Sequence, residues 1–226
     1  RRRERTKQYT PAPKAPAGGT RAKVEAATPV ATGRVRIIAV GASTGGPGAL
    51  ARMLRPLGRR FPAAVVVVQH IAAGFEAGLA DWLAMELDLD VKVARDGEGL
   101  TAGTVRIAGT GRHLLVEGGA TIHLDPGPQP PGGHRPSVDR LFRSLVDPVA
   151  GETAAVLLSG MGDDGVEGML ELRRAGALTL AQSATSCAVF GMPRWAFERG
   201  ATDLLLDPEE IGGHLLIAVG GPQIGR

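Results

Sequence analysis

The stretch at residues 63–68, AAVVVV, constrains this chain more than any other. β-Branched side chains favour the extended pleat, and a run without polar alternation is stable as a strand only when both of its faces are covered. Strands of that kind belong to parallel sheets flanked by helices. Two further apolar runs, at 35–40 and 154–158, repeat the pattern: each ends in a glycine-rich or polar cluster and is followed by a stretch with helical spacing. The predicted class is therefore α/β, a three-layer, doubly wound, mostly parallel sheet.

The remaining segments fit around these runs. GASTGGPG follows the first, and Pro47 suits the first turn of a helix. A helix is predicted over 75–87, with short strands at 91–94 and 104–108. An antiparallel hairpin near one edge of the sheet should pair 113–117 with 121–125 through a two-residue turn at Gly118-Gly119. The proline- and glycine-rich stretch 125–136 is a loop. Ser137 is expected to cap a helix running to about residue 147. Beyond 154–158 come a helix at 166–175, a strand at 178–181, a loop at 182–191, a helix opened by Pro193 and a last strand at 203–206.

Composition sets the boundaries. In 226 residues with 43% hydrophobic content there is one substantial core, and residues 34–226 are read as a single domain. Residues 1–33 lack apolar periodicity and are rich in Pro, Ala, Gly and Thr, as expected of a flexible basic interdomain linker. Eight basic residues there against Glu4 and Glu25 give +6, which leaves residues 34–226 at −3 of the total of +3. The predicted domain is thus mildly acidic despite a pI near 9.5, and with 4% aromatic residues it offers no nucleic-acid surface. Cys187 alone cannot form an intrachain disulfide. No apolar run approaches the roughly 20 residues of a membrane span, and no signal peptide is recognisable. A monomer in the cytoplasm is expected, and with Arg rather than Met in first position the N-terminus is expected to be that of a fragment.

In open α/β sheets the residues just beyond the carboxyl ends of the strands converge on a ligand crevice. Here those positions hold Ser43, His70 and Asp164, the three side chains of acyl transfer. A serine hydroxyl needs an imidazole to take its proton, and the imidazole needs a carboxylate to fix its tautomer. Gly41-Ala42-Ser43-Thr44-Gly45 also satisfies G-x-S-x-G, although the order Ser, His, Asp differs from that of α/β-hydrolases. Gly160-Met161-Gly162 is a candidate source of main-chain N–H groups for an oxyanion.

Each residue has a plainer reading. Ser43 is compatible with a turn or cap, His70 with a buried histidine satisfied by the backbone, and Asp163 or Asp164 with a helix N-terminus. These readings leave unexplained why three residue types of one mechanism end three apolar runs. Two other function classes stand beside catalysis. The glycine loop suits a phosphate, but G-x-x-x-x-G-K-[ST] and G-x-G-x-x-G are both missing there. A non-catalytic receptor-binding module would need neither His70 nor Asp164. Cys187 reads as a buried small side chain, and His113, His123, His134 and His214 show no metal-ligand spacing, so no metal or cofactor is predicted.

The runs IIAVGASTGGPGAL (37–50), VVVVQHIAAGF (65–75), HRPSVDRLFRSL (134–145), LLSGMGDDGVEGM (157–169) and AVFGMPRWAFERGA (188–201) resemble the catalytic domain of bacterial chemotaxis receptor protein-glutamate methylesterases over about residues 35–211. The resemblance implies a triad of Ser43, His70 and Asp164, an oxyanion contact from the Met161 N–H with Thr44 and Gly162 beside it, and no cofactor. It further implies hydrolysis of glutamate γ-methyl esters on receptor cytoplasmic helices, glutamine deamidation as a second activity, and an upstream phosphorylatable receiver domain. The segment 134–145 is expected to meet the receptor. Ile71-Ala72, Ser159 and Gly109 depart from the family pattern, and are expected at the rim of the cleft.

Overall fold

The computed structural model describes residues 34–130, 133–147 and 149–220; the predicted linker at 1–33 lies outside them. Its strands are β1 (Ile37–Ala42), β2 (Ala64–Gln69), β3 (Asp90–Val93), β4 (Thr104–Ile107), β5 (His113–Glu117), β6 (Thr121–Asp125), β7 (Thr153–Leu157), β8 (Leu178–Gln182) and β9 (Leu205–Leu206). Seven of them form one sheet in the order β3-β4-β2-β1-β7-β8-β9, with every neighbour parallel. β5 and β6 pair antiparallel as a separate two-stranded sheet.

The pleat divides the central strands between two cores. Ile38, Val40, Val65, Val67 and Val156 face one way, against α1 (Gly46–Leu54), α2 (Glu76–Leu87) and α6 (Pro208–Ala218). Ile37, Ala39, Val66, Val68 and Leu157 face the other way. There they meet α3 (Val138–Arg143), α4 (Val166–Arg174), α5 (Met192–Glu198) and the hairpin residues Leu114, Val116 and Ile122. Val65 to Val68 are all fully buried, at about 1.5–3 kcal/mol of apolar transfer per side chain. This is the three-layer, doubly wound architecture that the uninterrupted valine run requires.

Topology then fixes where a site can form. From β1 the chain crosses through α1 to β2 on one side, whereas from β7 it crosses through α4 to β8 on the other. The connections leave adjacent parallel strands in opposite directions, which opens a crevice beyond their carboxyl ends. The hairpin is fastened near the β3–β4 edge by the intervening segment, since Gly97 N–H and Leu100 N–H donate to Ile122 and Ala120 carbonyls at 2.9 and 2.7 Å.

Four details differ from the sequence reading. β1 is displaced two residues, because Val35 is taken up by a bond to the Ala218 carbonyl. The hairpin turn has three residues, Gly118-Gly119-Ala120, with Glu117 paired to Thr121. α3 ends at Arg143 rather than about 147: Ser144 Oγ donates to the Leu141 carbonyl and accepts the Val116 N–H, tying the chain to the hairpin. α6, which the sequence reading omitted, starts with Pro208 in its first turn and with the Asp207 N–H donated to the Glu210 carboxylate at 2.9 Å.

α6 packs on α1 through a glycine. A Cβ on Gly212 would overlap the Met53 carbonyl oxygen, whereas one on its neighbour Gly213 would meet nothing within 4 Å. Gly212→Ala should cost about 1–3 kcal/mol by overpacking. Gly213→Ala should stabilise by about 0.5–1 kcal/mol through helix propensity. Equal midpoints for the two variants in urea unfolding would refute the close approach.

Candidate active site

Ser43 follows β1 directly and His70 follows β2 directly, on strands paired so that Ala42 stands opposite Gln69. The His70 N–H donates to the Ala42 carbonyl at 2.8 Å. Beneath them the buried Gln69 carboxamide donates from Nε2 to the Ser43 carbonyl at 2.8 Å and to the His70 carbonyl at 2.9 Å. One side chain thus ties the serine turn to the histidine turn. From the other side, the Ser43 N–H donates to the Ser159 carbonyl at 3.0 Å, which joins the turn to the segment leaving β7.

That segment contains Gly160, whose missing side chain matters. A Cβ there would lie 2.8 Å from the Ser43 Cβ. Only glycine lets the β7 segment come this near the serine. Ser159, expected at the rim, is instead fully buried; its Oγ donates to the Thr44 carbonyl at 2.7 Å and accepts the Val189 N–H at 3.0 Å. It supports the serine loop from below. Met161, next along, is 70% exposed, and its N–H makes no hydrogen bond among the described residues. Thr44 and Gly162 are also exposed.

Two residues further on, Asp164 meets His70. The Asp164 Oδ2 lies 2.9 Å from His70 Nε2, and the two side chains are 11% and 8% exposed. The same carboxylate accepts the Val138 N–H at 2.8 Å on Oδ2, and the Ser137 hydroxyl at 2.9 Å and the Asp139 N–H at 3.0 Å on Oδ1. It therefore sits at the start of α3, where main-chain N–H groups have no partner within the helix. Burial pushes this carboxyl up, but hydrogen bonds from His70, Asp139 and Val138 together with the charge of His70 outweigh it, so Asp164 titrates below the usual aspartate range. Asp163 faces elsewhere, in an exposed ion pair with Arg199 at 3.0 Å.

An ionised Asp164 fixes the proton of a neutral His70 on Nε2 and leaves the lone pair on Nδ1. Nδ1 is buried and has no hydrogen-bond partner among the described residues. Among the described residues no hydrogen bond joins it to Ser43, which is common where such bonds tighten only around a substrate. The His134 ring lies on the His70 ring, with centroids 3.8 Å apart and planes 22° from parallel. Desolvation by this packing and the charge of His70 hold His134 below the usual histidine value, against the opposing pull of Asp164.

The sequence reading singled out Ser43, His70 and Asp164; the structure joins His70 to Asp164 and places Ser43 on the neighbouring turn after β1. That reading did not find the support of Asp164 by α3, the Gln69 tie or the His134 stack. Ser137 was legible as a cap, and it does accept the Arg140 N–H, but nothing local showed that its hydroxyl also donates to Asp164. No cluster of three metal-ligating side chains occurs among the described residues.

The CheB methylesterase family model matches residues 38–215. This chain belongs to the CheB methylesterase family. It is 50% identical over 185 residues to protein-glutamate methylesterase/protein-glutamine glutaminase 2 of Anaeromyxobacter dehalogenans, covering 82% of this chain and 54% of that protein. To protein-glutamate methylesterase/protein-glutamine glutaminase 3 of Pseudomonas aeruginosa it is 43% identical over 198 residues, covering 86% and 58%. It spans a little over half the length of these curated relatives. The crystal structure of the Thermotoga maritima CheB methylesterase catalytic domain superposes with a TM-score of 0.75 at 36% identity, covering 80% of this chain and 97% of that one. The doubly wound CheB fold is thus confirmed.

Two measurements test the site as a structure. Asp164→Asn should lose about 2–4 kcal/mol of stability at pH 7, because a buried hydrogen-bonded charge is replaced by an amide that cannot accept all four bonds. Since the folded carboxyl titrates below its unfolded value, this stabilisation is complete above the unfolded pKa and fades as pH falls through the folded one. The gap between the two chains should therefore narrow below about pH 4, and a gap constant from pH 7 to 3 would contradict the assignment. Separately, burial pushes the Cys187 thiol up to about 11. Iodoacetamide at pH 7.5 should label it at least about a hundredfold more slowly in the folded chain than in urea.

Proposed function

We propose that this chain is the catalytic domain of a serine-type protein-glutamate methylesterase of bacterial chemotaxis, with glutamine deamidation as a second activity. Membership of the CheB family gives the reaction class. The observation that carries the reading to residues is the buried His70–Asp164 pair, at the end of the strand next to the serine turn and with Nδ1 making no hydrogen bond among the described residues. In this mechanism Ser43 Oγ attacks the γ-carbonyl carbon of a glutamate methyl ester as His70 Nδ1 takes its proton. The oxyanion is met by the Met161 N–H, in a pocket edged by Thr44 and Gly162. The C–O bond to the methoxyl breaks and His70 returns the proton to it, releasing methanol. Water then attacks the acyl-enzyme with His70 again as base, which frees the glutamate carboxylate and restores Ser43. With an amide in place of the ester the leaving group is ammonia.

The substrate proposed is a receptor helix rather than a small molecule. Phe75 and Met161, 64% and 70% exposed, flank the ends of the two site-bearing segments and offer apolar contact to a long helix. In the segment 134–145 the apolar residues Val138, Leu141, Phe142 and Leu145 belong to the core, so the exposed Arg143 carries what that segment offers a partner. Residues 34–226 form the catalytic domain in this reading, and residues 1–33 tether it to an upstream receiver domain. No helix of the described residues is long and apolar enough to cross a membrane.

Methanol release from methylated receptor cytoplasmic fragments tests the proposal. The chain should release methanol, and Ser43→Ala and His70→Ala should each lower the rate by at least about 10³-fold without loss of folding. Release undiminished in either variant would remove that residue from the mechanism. No release by the parent chain from a competent substrate would favour a receptor-binding module.

A further inference from the structure

We propose that His134 is a positioning residue for His70: its exposed ring, stacked on the His70 imidazole, holds that ring in the orientation that joins Nε2 to Asp164 and leaves Nδ1 free. The kinetic part of this inference rests on the serine-hydrolase reading above; the geometric part does not.

Rotation of an imidazole about its Cβ–Cγ bond meets only a broad, roughly two-fold barrier. One hydrogen bond at Nε2 restrains the far end of the ring but does little against tilting about the line from Cβ to that contact. A half-turn would exchange Nδ1 for a carbon and part Nε2 from Asp164. A second plane packed on the face opposes both motions. His134 supplies such a plane, at 3.8 Å between centroids and 22° between planes.

The rest of its surroundings point the same way. His134 is itself exposed, whereas the His70 side chain beneath it is 8% exposed. A residue in that position contributes little to the core and covers what lies under it. Among the described residues its two nitrogens make no hydrogen bond, so the stack is its one visible engagement. The chain on its C-terminal side is anchored at once, because Ser137, Val138 and Asp139 all donate to the Asp164 carboxylate that His70 meets. One short segment therefore holds the carboxylate from below and covers the imidazole from above. A neutral aromatic plate also tolerates the imidazolium that forms during turnover, as ring faces attract cations.

The experiment compares the wild-type chain with His134→Ala and His134→Phe, using methylated receptor fragments and a small activated ester such as p-nitrophenyl acetate, and the downfield imidazole N–H proton resonances of each chain. His134→Ala should lower kcat by about 10–100-fold on both substrates while KM stays within about threefold, as expected for lost orientation. His134→Phe, which keeps a flat ring without titratable nitrogens, should restore kcat to within about threefold. The His70 Nε2–H resonance, identified by its disappearance in Asp164→Asn, should be sharp in the wild type and His134→Phe and broadened by exchange in His134→Ala. Unchanged kcat in His134→Ala, a loss confined to KM, or His134→Phe as slow as His134→Ala would each overturn the assignment. A wild-type chain inactive on both esters would sink the hydrolase reading instead, and the resonance alone would then decide: equally sharp in all three chains, it ends the proposal.

Discussion

A carboxylate taken out of water is stable inside a protein only when its oxygens are met by donors, and at Asp164 four donors arrive from two separate parts of the chain. His70 comes from the end of β2, the Ser137 hydroxyl from the loop before α3, and two N–H groups from the first turn of α3 itself. Asp164 rides on the segment between β7 and α4. The requirement to satisfy this one charge fixes the helix layer against the sheet at the place where the strand connections diverge. It also sets the imidazole tautomer. The plainer reading of Asp164 as a helix N-terminal carboxylate holds in an unexpected form, since the helix it serves is α3 and not the one it precedes in sequence.

Beneath this charge lies a neutral frame. Gln69 spans the two strand ends with both amide protons, and Ser159 joins the serine turn to the Val189 segment. The frame is not fully satisfied: Gln69 Oε1 is buried without a hydrogen-bond partner among the described residues, a cost that the two bonds from its Nε2 offset. Their geometry makes the distance between the serine and histidine turns a property of the sheet, not of two independent loops. The absence of a side chain at Gly160 completes the arrangement by allowing the third segment into contact with Ser43.

Much of this was legible in the sequence. The valine run of β2 and the apolar runs of β1 and β7 identify central strands because each is too short for a buried helix, is enriched in β-branched residues or ends in a glycine-rich or polar cluster. Looking just beyond the end of each was enough to single out Ser43, His70 and Asp164 as candidates. What was not legible falls into two kinds. α6 carried readable signals, Pro208 in the first turn with Glu210 three residues after Asp207, but its apolar residues surround two glycines that look like a loop until Gly212 is found against the Met53 carbonyl. The end of α3, the support of Asp164 by Ser137 and the His134 stack depend on residues distant in sequence, and no local pattern encodes them.

The choice of nitrogen at His70 has a mechanical side. Nδ1 is bonded to the ring carbon that joins the ring to Cβ, so it lies closer to the main chain at the end of β2 than Nε2 does. A base that works from this inner nitrogen has little reach. Under the proposed mechanism the reacting carbonyl must descend to the lip of the sheet, which an acyl group at the tip of a side chain can do while its parent helix remains outside. A main-chain peptide bond, flanked on both sides by its own backbone, cannot make that descent without unfolding. Discrimination between trimming a protein's side chains and cutting its backbone would then follow from which end of one imidazole is tethered.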